Sequence, residues 1–370
     1  MPRVHQFSAG FQYLVARNSV IDVSYVGNRT LAYSGNMNLN LPGWSFAKQC
    51  DMTSGGKRSI CDAQVSNPFV GVAPLKGTSL YTSSTISAFN VNRPFPEFDN
   101  ITQSGVNLGH MWYNGLQVNF NQRFSHGLVF TASYVRSRQI EQWGWMNQYL
   151  LIPQRSPYGF DHPNVFKLSG AYDLPFGKSR TFKMGGSRIA DVLFGGWQIA
   201  PSLAIQNGER ADLPAGAVRL RNSHVQNMDW NQYQVKGWGN CVLNQDTNGN
   251  ITPMAYSTRA GCSATDFSAY DWLVIPTLSG QQVSPSGAGD IRMKPSVDSN
   301  LALSKDFRVY ERLTFRFRME ATNVLNHFNY LTARFNTNVN DANFGTSFPA
   351  STASLDATPR IVQFGIKASW

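Results

Sequence analysis

Hydrophobic and polar residues alternate strictly along several stretches of this chain, each longer than the five or six residues usual for strands of soluble proteins. Across 313–323, Leu313, Phe315, Phe317, Met319 and Ala321 fall on one face, while Thr314, Arg316, Arg318, Glu320 and Thr322 fall on the other. At 113–123, Leu116, Val118 and Phe120 alternate with Gln117, Asn119, Asn121 and Arg123. At 128–138, Leu128, Phe130, Ala132 and Tyr134 oppose Thr131, Ser133 and Arg136, and Ser125-His126-Gly127 supplies the turn between the two runs. The pattern predicts nine strands, at about 5–16, 20–28, 113–123, 128–138, 163–173, 197–207, 299–307, 313–323 and 360–370. A further pair has room within 60–110, for instance around Ile101 to Leu108.

The gaps between these strands decide what kind of sheet they build. In order they are 17–19, 29–112, 124–127, 139–162, 174–196, 208–298, 308–312 and 324–359, so short and long connections alternate. A transmembrane barrel has this signature, with tight periplasmic turns and long extracellular loops. The segment 174–196 is the least tight of the short set, and is rich in Gly and Lys/Arg; it is assigned to the periplasmic side. If the last strand ends in the periplasm, the first of nine strands also runs downward, and the two could close only in parallel. Bacterial barrels have even strand numbers. The amino terminus, Met1-Pro2-Arg3-Val4-His5-Gln6, also lacks the basic and apolar regions of a signal peptide. Both observations predict that residues 1–370 are the C-terminal portion of a larger protein whose signal peptide and N-terminal region are absent here.

Composition agrees with this reading. Charged residues make up 15% of the chain, below the roughly 25% of soluble domains, while aromatics reach 13%. No window approaches 18 consecutive apolar residues, which excludes a transmembrane helix, and a mean hydropathy of −0.28 is compatible with strands that hide their apolar face by alternation. The net charge of +10 is scattered without a basic run or recognition helix, so nucleic acid is not an expected partner.

The chain ends Gln363-Phe364-Gly365-Ile366-Lys367-Ala368-Ser369-Trp370, in which Gln363, Gly365, Ala368 and Trp370 match the C-terminal signal read by the outer-membrane assembly machinery. Its strand would present Val362, Phe364, Ile366, Ala368 and Trp370 to lipid, with Trp370 in the interface girdle. Several further stretches resemble the C-terminal barrel of TonB-dependent receptor-like proteins of the Oar type. They are Val20-Ile21-Asp22-Val23-Ser24-Tyr25-Val26-Gly27-Asn28, Tyr113-Asn114-Gly115-Leu116-Gln117-Val118, Arg123-Phe124-Ser125-His126-Gly127-Leu128, Asp173-Leu174-Pro175-Phe176-Gly177 and Glu320-Ala321-Thr322-Asn323-Val324-Leu325-Asn326-His327-Phe328. The resemblance implies an all-β, antiparallel barrel of about 22 strands in the cell outer membrane, of which this chain supplies about 9–11. It also implies a plug, and energy drawn from TonB through the missing N-terminal region. Neither plug nor TonB box is identifiable in these residues.

Candidate chemistry is sparse. Cys50 and Cys61 share the first long loop, and Cys241 and Cys262 the third. Local disulfides in an oxidising compartment would contribute about 3 kcal/mol each, with free thiols or a metal site as alternatives. There is no Cys-x-x-Cys and no clustered His, which argues against zinc. Asp246-Thr247-Asn248-Gly249-Asn250 departs from a calcium loop at Ile251 and reads as a polar turn. Arg316, Arg318 and Glu320 face the lumen, where they either touch a solute or a plug, or are simply solvated and pair with one another. An Arg exposed at mid-bilayer would cost about 2–4 kcal/mol, so their register is constrained. The loop aromatics Trp143, Trp145, Trp230, Tyr233, Trp238 and Trp272 could stack on sugars or other flat ligands, anchor at the membrane interface, or pack among themselves. No nucleophile elbow, zincin motif or phosphate-binding loop is present, so neither an enzyme nor a cofactor is expected. The expected function is the wall of a receptor or transporter taking up a bulky solute, an oligosaccharide, peptide or metal chelate. A structural or adhesive barrel without transport and a secreted soluble all-β binding protein are its rivals.

Overall fold

A computed structural model describes the chain except residues 126, 178–180, 183–187, 213–215, 221–234, 237–240, 260, 286, 293–294, 309–312, 328, 330–335 and 348–358. Nine strands form one antiparallel sheet in chain order: β1 (Arg3–Ala16), β2 (Ser19–Asn38), β3 (Thr102–Ser125), β4 (Leu128–Gln142), β5 (Asn164–Asp173), β6 (Trp197–Gln206), β7 (Ser296–Arg308), β8 (Thr314–Thr322) and β9 (Ile361–Ser369). A short segment, Ser156–Pro157, continues the pairing beside the outer end of β4. Among the described residues the sheet is open, with β1 and β9 at its edges.

The strands depart from the periodicity in one respect. β2 runs on to Asn38 and β3 begins at Thr102, so the stretch around Ile101 to Leu108 is the outer end of β3; the strand pair within 60–110 is the short Gln64–Ser66 with Thr85–Ser87, outside the main sheet. Register shifts between Leu31 and Tyr33, where Ala32 has φ 56°, and again between Gly35 and Met37 break the alternation there. A bulge swaps the faces of the residues beyond it, so a period of two cannot be followed across it.

Directly opposed residues share a face, and the registers therefore connect the apolar positions into one band. It passes through Phe11 and Val23, Val118, Tyr134, Phe166, Ile205, then Ile199, Leu303, Met319 and Phe364. The other face is mixed and carries the polar positions: Asp22, Asn119, Ser133 and Lys167 are in register, as are Ser202 with Asn300, and Ser304 with Arg318 and Gly365, among small or aliphatic residues such as Val135, Val165 and Ala204. One sequence expectation is corrected by this register. Arg136 lies opposite Leu116 and Asn164, on the apolar side with Tyr134, because positions 134 and 136 have the same parity. With Arg29 and Arg138 it rims the outer margin of the apolar band.

The apolar face is uncovered: Phe11, Leu116, Phe364 and Ile366 are exposed, whereas the buried apolar residues are mostly in the loops, among them Ala47, Cys50, Phe89, Val242, Trp272 and Phe344. A water-soluble sheet buries its apolar face; a sheet whose solvent is lipid does not. Close approach within the band is visible at Gly27, where a Cβ would lie 2.1 Å from the Phe7 ring that folds across it.

Candidate functional site

The tight connections 17–18, 126–127 and 309–313 lie at one end of the sheet, together with 174–196. The long ones, 39–101, 143–163, 207–295 and 323–360, emerge at the other. Outer-membrane barrels direct such long connections outward, so these four form the extracellular face.

They are not independent loops. The first carries the helices Trp44–Cys50 and Arg58–Asp62, joined by the Cys50–Cys61 disulfide. Ala47, Cys50, Cys61 and Phe89 form a small core with Leu278 of the third loop, and Tyr149 of the second packs against it. Hydrogen bonds bind the same partners: Arg58 Nη1 donates to the Thr277 carbonyl (3.1 Å), and the Ser59 amide to the Thr247 carbonyl (3.0 Å). The Gln148 amide donates to the Gly280 carbonyl (2.8 Å). Asp51 is fully buried and accepts from the Thr53 amide and hydroxyl (2.9 and 2.7 Å), Ser54 Oγ (2.6 Å) and Gln281 Nε2 (2.8 Å). Burial pushes its pKa up, but these hydrogen bonds outweigh burial and hold the carboxyl below its usual range. The Tyr149 hydroxyl is buried and has no hydrogen-bond partner among the described residues; burial, opposed by Arg58 and Arg93, raises its pKa to about 12.

The third loop folds on a second sheet of its own, Ala217–Arg219, Trp272–Val274, Val242–Gln245 and Ile251–Pro253, with the Cys241–Cys262 disulfide alongside. Trp272 is fully buried there, edge-on to Phe344 of the fourth loop at 5.9 Å. Tyr256 Oη donates to the Val339 carbonyl (2.6 Å), a second tie to the fourth loop. The ion pair Arg292–Asp161 (2.7 Å) joins the third loop to the second. The four loops thus make one cap.

The candidate residues divide accordingly. Trp272 packs the interior of the cap, so its ring faces no solute. Trp143 is half exposed and stands edge-on to Tyr33 at 6.4 Å, while Trp145 Nε1 donates to the Asn36 carbonyl (3.0 Å). Trp230, Tyr233 and Trp238 lie outside the described residues. Arg316 forks onto both oxygens of Asp306 on β7 (2.6 and 2.8 Å), and Arg318 pairs with Glu320 on its own strand, so each inward charge of β8 has an opposite partner. Gln363 and Gly365 pair with Glu320 and Arg318 on the inward face of β9, Ala368 lies outward beside Phe315, and Trp370 ends the chain, exposed. A Cβ at Gly365 would meet nothing within 4 Å, so packing does not demand glycine at this position. In the Asp246 turn the carboxylate is occupied by the Asn248 and Asn250 amides (both 2.9 Å) and Asn250 Nδ2 (2.7 Å), as in a closed polar turn.

The strands β1–β4 contain a hollow of about 560 Å³ lined by Gln6, Ser8, Asn28, Thr30, Tyr113 and Gln139 together with the apolar Phe7, Val26, Met111 and Trp112. Its amides and hydroxyls both donate and accept, and it holds no carboxylate or ammonium. Sequence reasoning passed over these residues because an uncharged lumen position looks the same whether it binds or is merely wetted. It missed Asp51, Tyr149 and Gln281 for another reason: their partners lie on other loops, up to 230 residues away.

Over residues 1–363 the sequence matches the family described as outer membrane beta barrel domain. Among solved structures, the outer membrane transporter YddB from Escherichia coli is similar over 100% of this chain and 32% of its own, with 11% identity and a TM-score of 0.39. The siderophore receptor PiuA from Acinetobacter baumannii is similar over 99% of this chain and 38% of its own, with 8% identity and a TM-score of 0.25. The chain therefore spans about a third of the length of these solved chains, and none of the curated proteins matches it. The family match, the continuous apolar band and the one-sided loops agree: this is a protein of the cell outer membrane, and it belongs to the outer membrane beta barrel domain family.

Proposed function

We propose that the chain is wall and extracellular cap of a TonB-dependent receptor of the Oar type, which takes up a bulky solute such as an oligosaccharide, peptide or metal chelate and catalyses no reaction. The observation that carries this reading is the cap itself: four loops joined by two small cores and by inter-loop bonds, two of them braced by an internal disulfide, at the outer end of a sheet that carries an uncharged hollow. A structural wall has no need of an ordered mouth over a hydrogen-bonding lumen, whereas a selective gate does. The hollow suits a hydroxyl- or amide-rich solute more than a strongly charged one. The solute would meet the cap first, and a plug contributed by residues outside this chain would move on energy supplied through TonB. Folding into the membrane would pass through the assembly machinery, with Gln363, Gly365, Ala368 and Trp370 as the signal.

The test is uptake by cells making the parent protein, with and without TonB, using a labelled oligosaccharide, peptide and metal chelate. One class should enter, only when TonB is present, and Gln139→Leu with Asn28→Leu should depress its entry. Equal uptake in the two strains would reject energised transport, and entry of none of the three classes would favour a structural or adhesive barrel.

A further inference from the structure

The connection 174–196 holds a helix, Arg188–Phe194. Ile189, Val192, Leu193 and Phe194 are 73%, 55%, 56% and 57% exposed, and the paired rings of Phe176 and Phe182 beside them are exposed as well. Concentrated on one short segment, this apolar surface is unfavourable in water and signals a contact.

Two tethers fix what it faces. Trp197 Nε1 donates to the Leu193 carbonyl (2.9 Å), and the Lys305 ammonium donates to the Val192 carbonyl. Trp197 and Lys305 are opposed across β6 and β7, on the same face as Ile199, Leu303 and Phe317. That is the apolar face, so the helix is fastened outside the sheet at its periplasmic rim and does not cover the lumen. Both tethers satisfy carbonyls of the last helical turn that no intrahelical amide reaches, and a cation there also suits the helix dipole. Lys305 is buried by this arrangement and lies over the rings of Trp197 (5.5 Å) and Phe307 (5.1 Å). Without the helix it would stand as a bare ammonium on the lipid-facing surface.

We propose that this segment is an interfacial anchor, lying in the periplasmic leaflet with Ile189, Val192, Leu193 and Phe194 among the acyl chains of phospholipid. Its apolar surface continues the apolar band of β6–β8, which is already the lipid surface of the fold. The connection's sequence also carries Lys178, Arg180, Lys183 and Arg188 against one acid, Asp191, a balance that suits anionic headgroups. A periplasmic protein seated on the helix is the competing occupant.

All four cysteines are in disulfides, so Leu193→Cys or Ile189→Cys introduces a single reactive thiol into the full chain. Each variant is labelled with an environment-sensitive fluorophore in vesicles of phosphatidylethanolamine and phosphatidylglycerol. Some vesicles contain a lipid spin-labelled near the headgroup. The preparations used are those in which the same fluorophore at Leu203→Cys, on the apolar face of β6, is quenched by a lipid spin-labelled at mid-chain. The expected result at 189 and 193 is blue-shifted emission, quenched by the shallow spin label and far less by the mid-chain one. Water-like emission unaffected by either lipid at both positions would overturn the proposal. So would blue-shifted emission that neither lipid quenches, since that reports a protein cover.

Discussion

At Asp51 a buried carboxylate is held ionised by four hydrogen-bond donors from three residues, and the sign of its pH effect follows from its lowered pKa. The native cap binds the proton more weakly than an open one, so this contribution is fully present above the ordinary carboxylate range and is lost as pH falls through the depressed value. Hydrogen exchange across 44–62 should therefore stay slow at mildly acid pH and accelerate only below it. Asp51→Ala should accelerate exchange already at neutral pH, at a cost of about 1–3 kcal/mol for the donors it strands. Tyr149 behaves in the opposite sense. Its pKa is raised to about 12, so the stability it lends is complete below its ordinary value near 10 and is lost as pH rises through about 12. Because its hydroxyl has no partner among the described residues, Tyr149→Phe is expected to leave the cap equally or more stable and to weaken its alkaline opening, read by the same exchange. Neither residue could be singled out from the sequence. An Asp in a polar loop becomes distinctive only once Gln281 arrives from another loop, whereas the cysteines carry their chemistry in their identity.

Strands β4–β9 were legible because each crosses an apolar slab with polar surroundings on the other side, and that asymmetry is written directly into residues two apart. The outer halves of β2 and β3 were not, since above the slab both faces meet water or loop and bulges at Ala32 and near Gly35 interrupt the period. On β7 the pattern contains an apparent fault, Lys305 in line with Leu301 and Leu303. Its position near the periplasmic rim and its bond to the Val192 carbonyl explain why a charge is tolerated there. The same charge one step further into the slab has no such partner. Leu303→Lys is expected to destabilise the folded barrel by about 2–4 kcal/mol, measured from the denaturant midpoint of heat-modifiable gel migration in lipid. Lys305→Met should change that midpoint far less, because its methylenes keep the contact with Trp197 while the charge is removed.

At the scale of the whole molecule, two bodies with different solvents share one chain. The sheet is stabilised by lipid on its apolar face, while the cap is a water-facing unit with its own small cores around Phe89 and Trp272 and a disulfide beside each. Cores this small give limited stability alone, so the crosslinks matter most here; closing these loops contributes about 3 kcal/mol apiece. The covalent bonds touch no residue of β1–β9, and the ladder hydrogen bonds of the sheet are insulated from water by lipid. Reduction should accordingly separate the two bodies. With Cys50→Ala/Cys61→Ala and Cys241→Ala/Cys262→Ala combined, protease added outside intact cells is expected to cut within 39–101 and 207–295, where the unaltered protein resists. Heat-modifiable migration of the membrane-embedded strands should persist. Loss of folded migration together with cap cleavage would mean that the cap is needed to hold the sheet, and the division into two bodies would then fail. Each pair removed singly distinguishes the cores further: loss of Cys50–Cys61 should expose the Trp44–Asp62 region first, and loss of Cys241–Cys262 the strands around Trp272. Because Arg58, Ser59 and Gln281 bridge the two, either loss should also loosen the other core by a smaller amount.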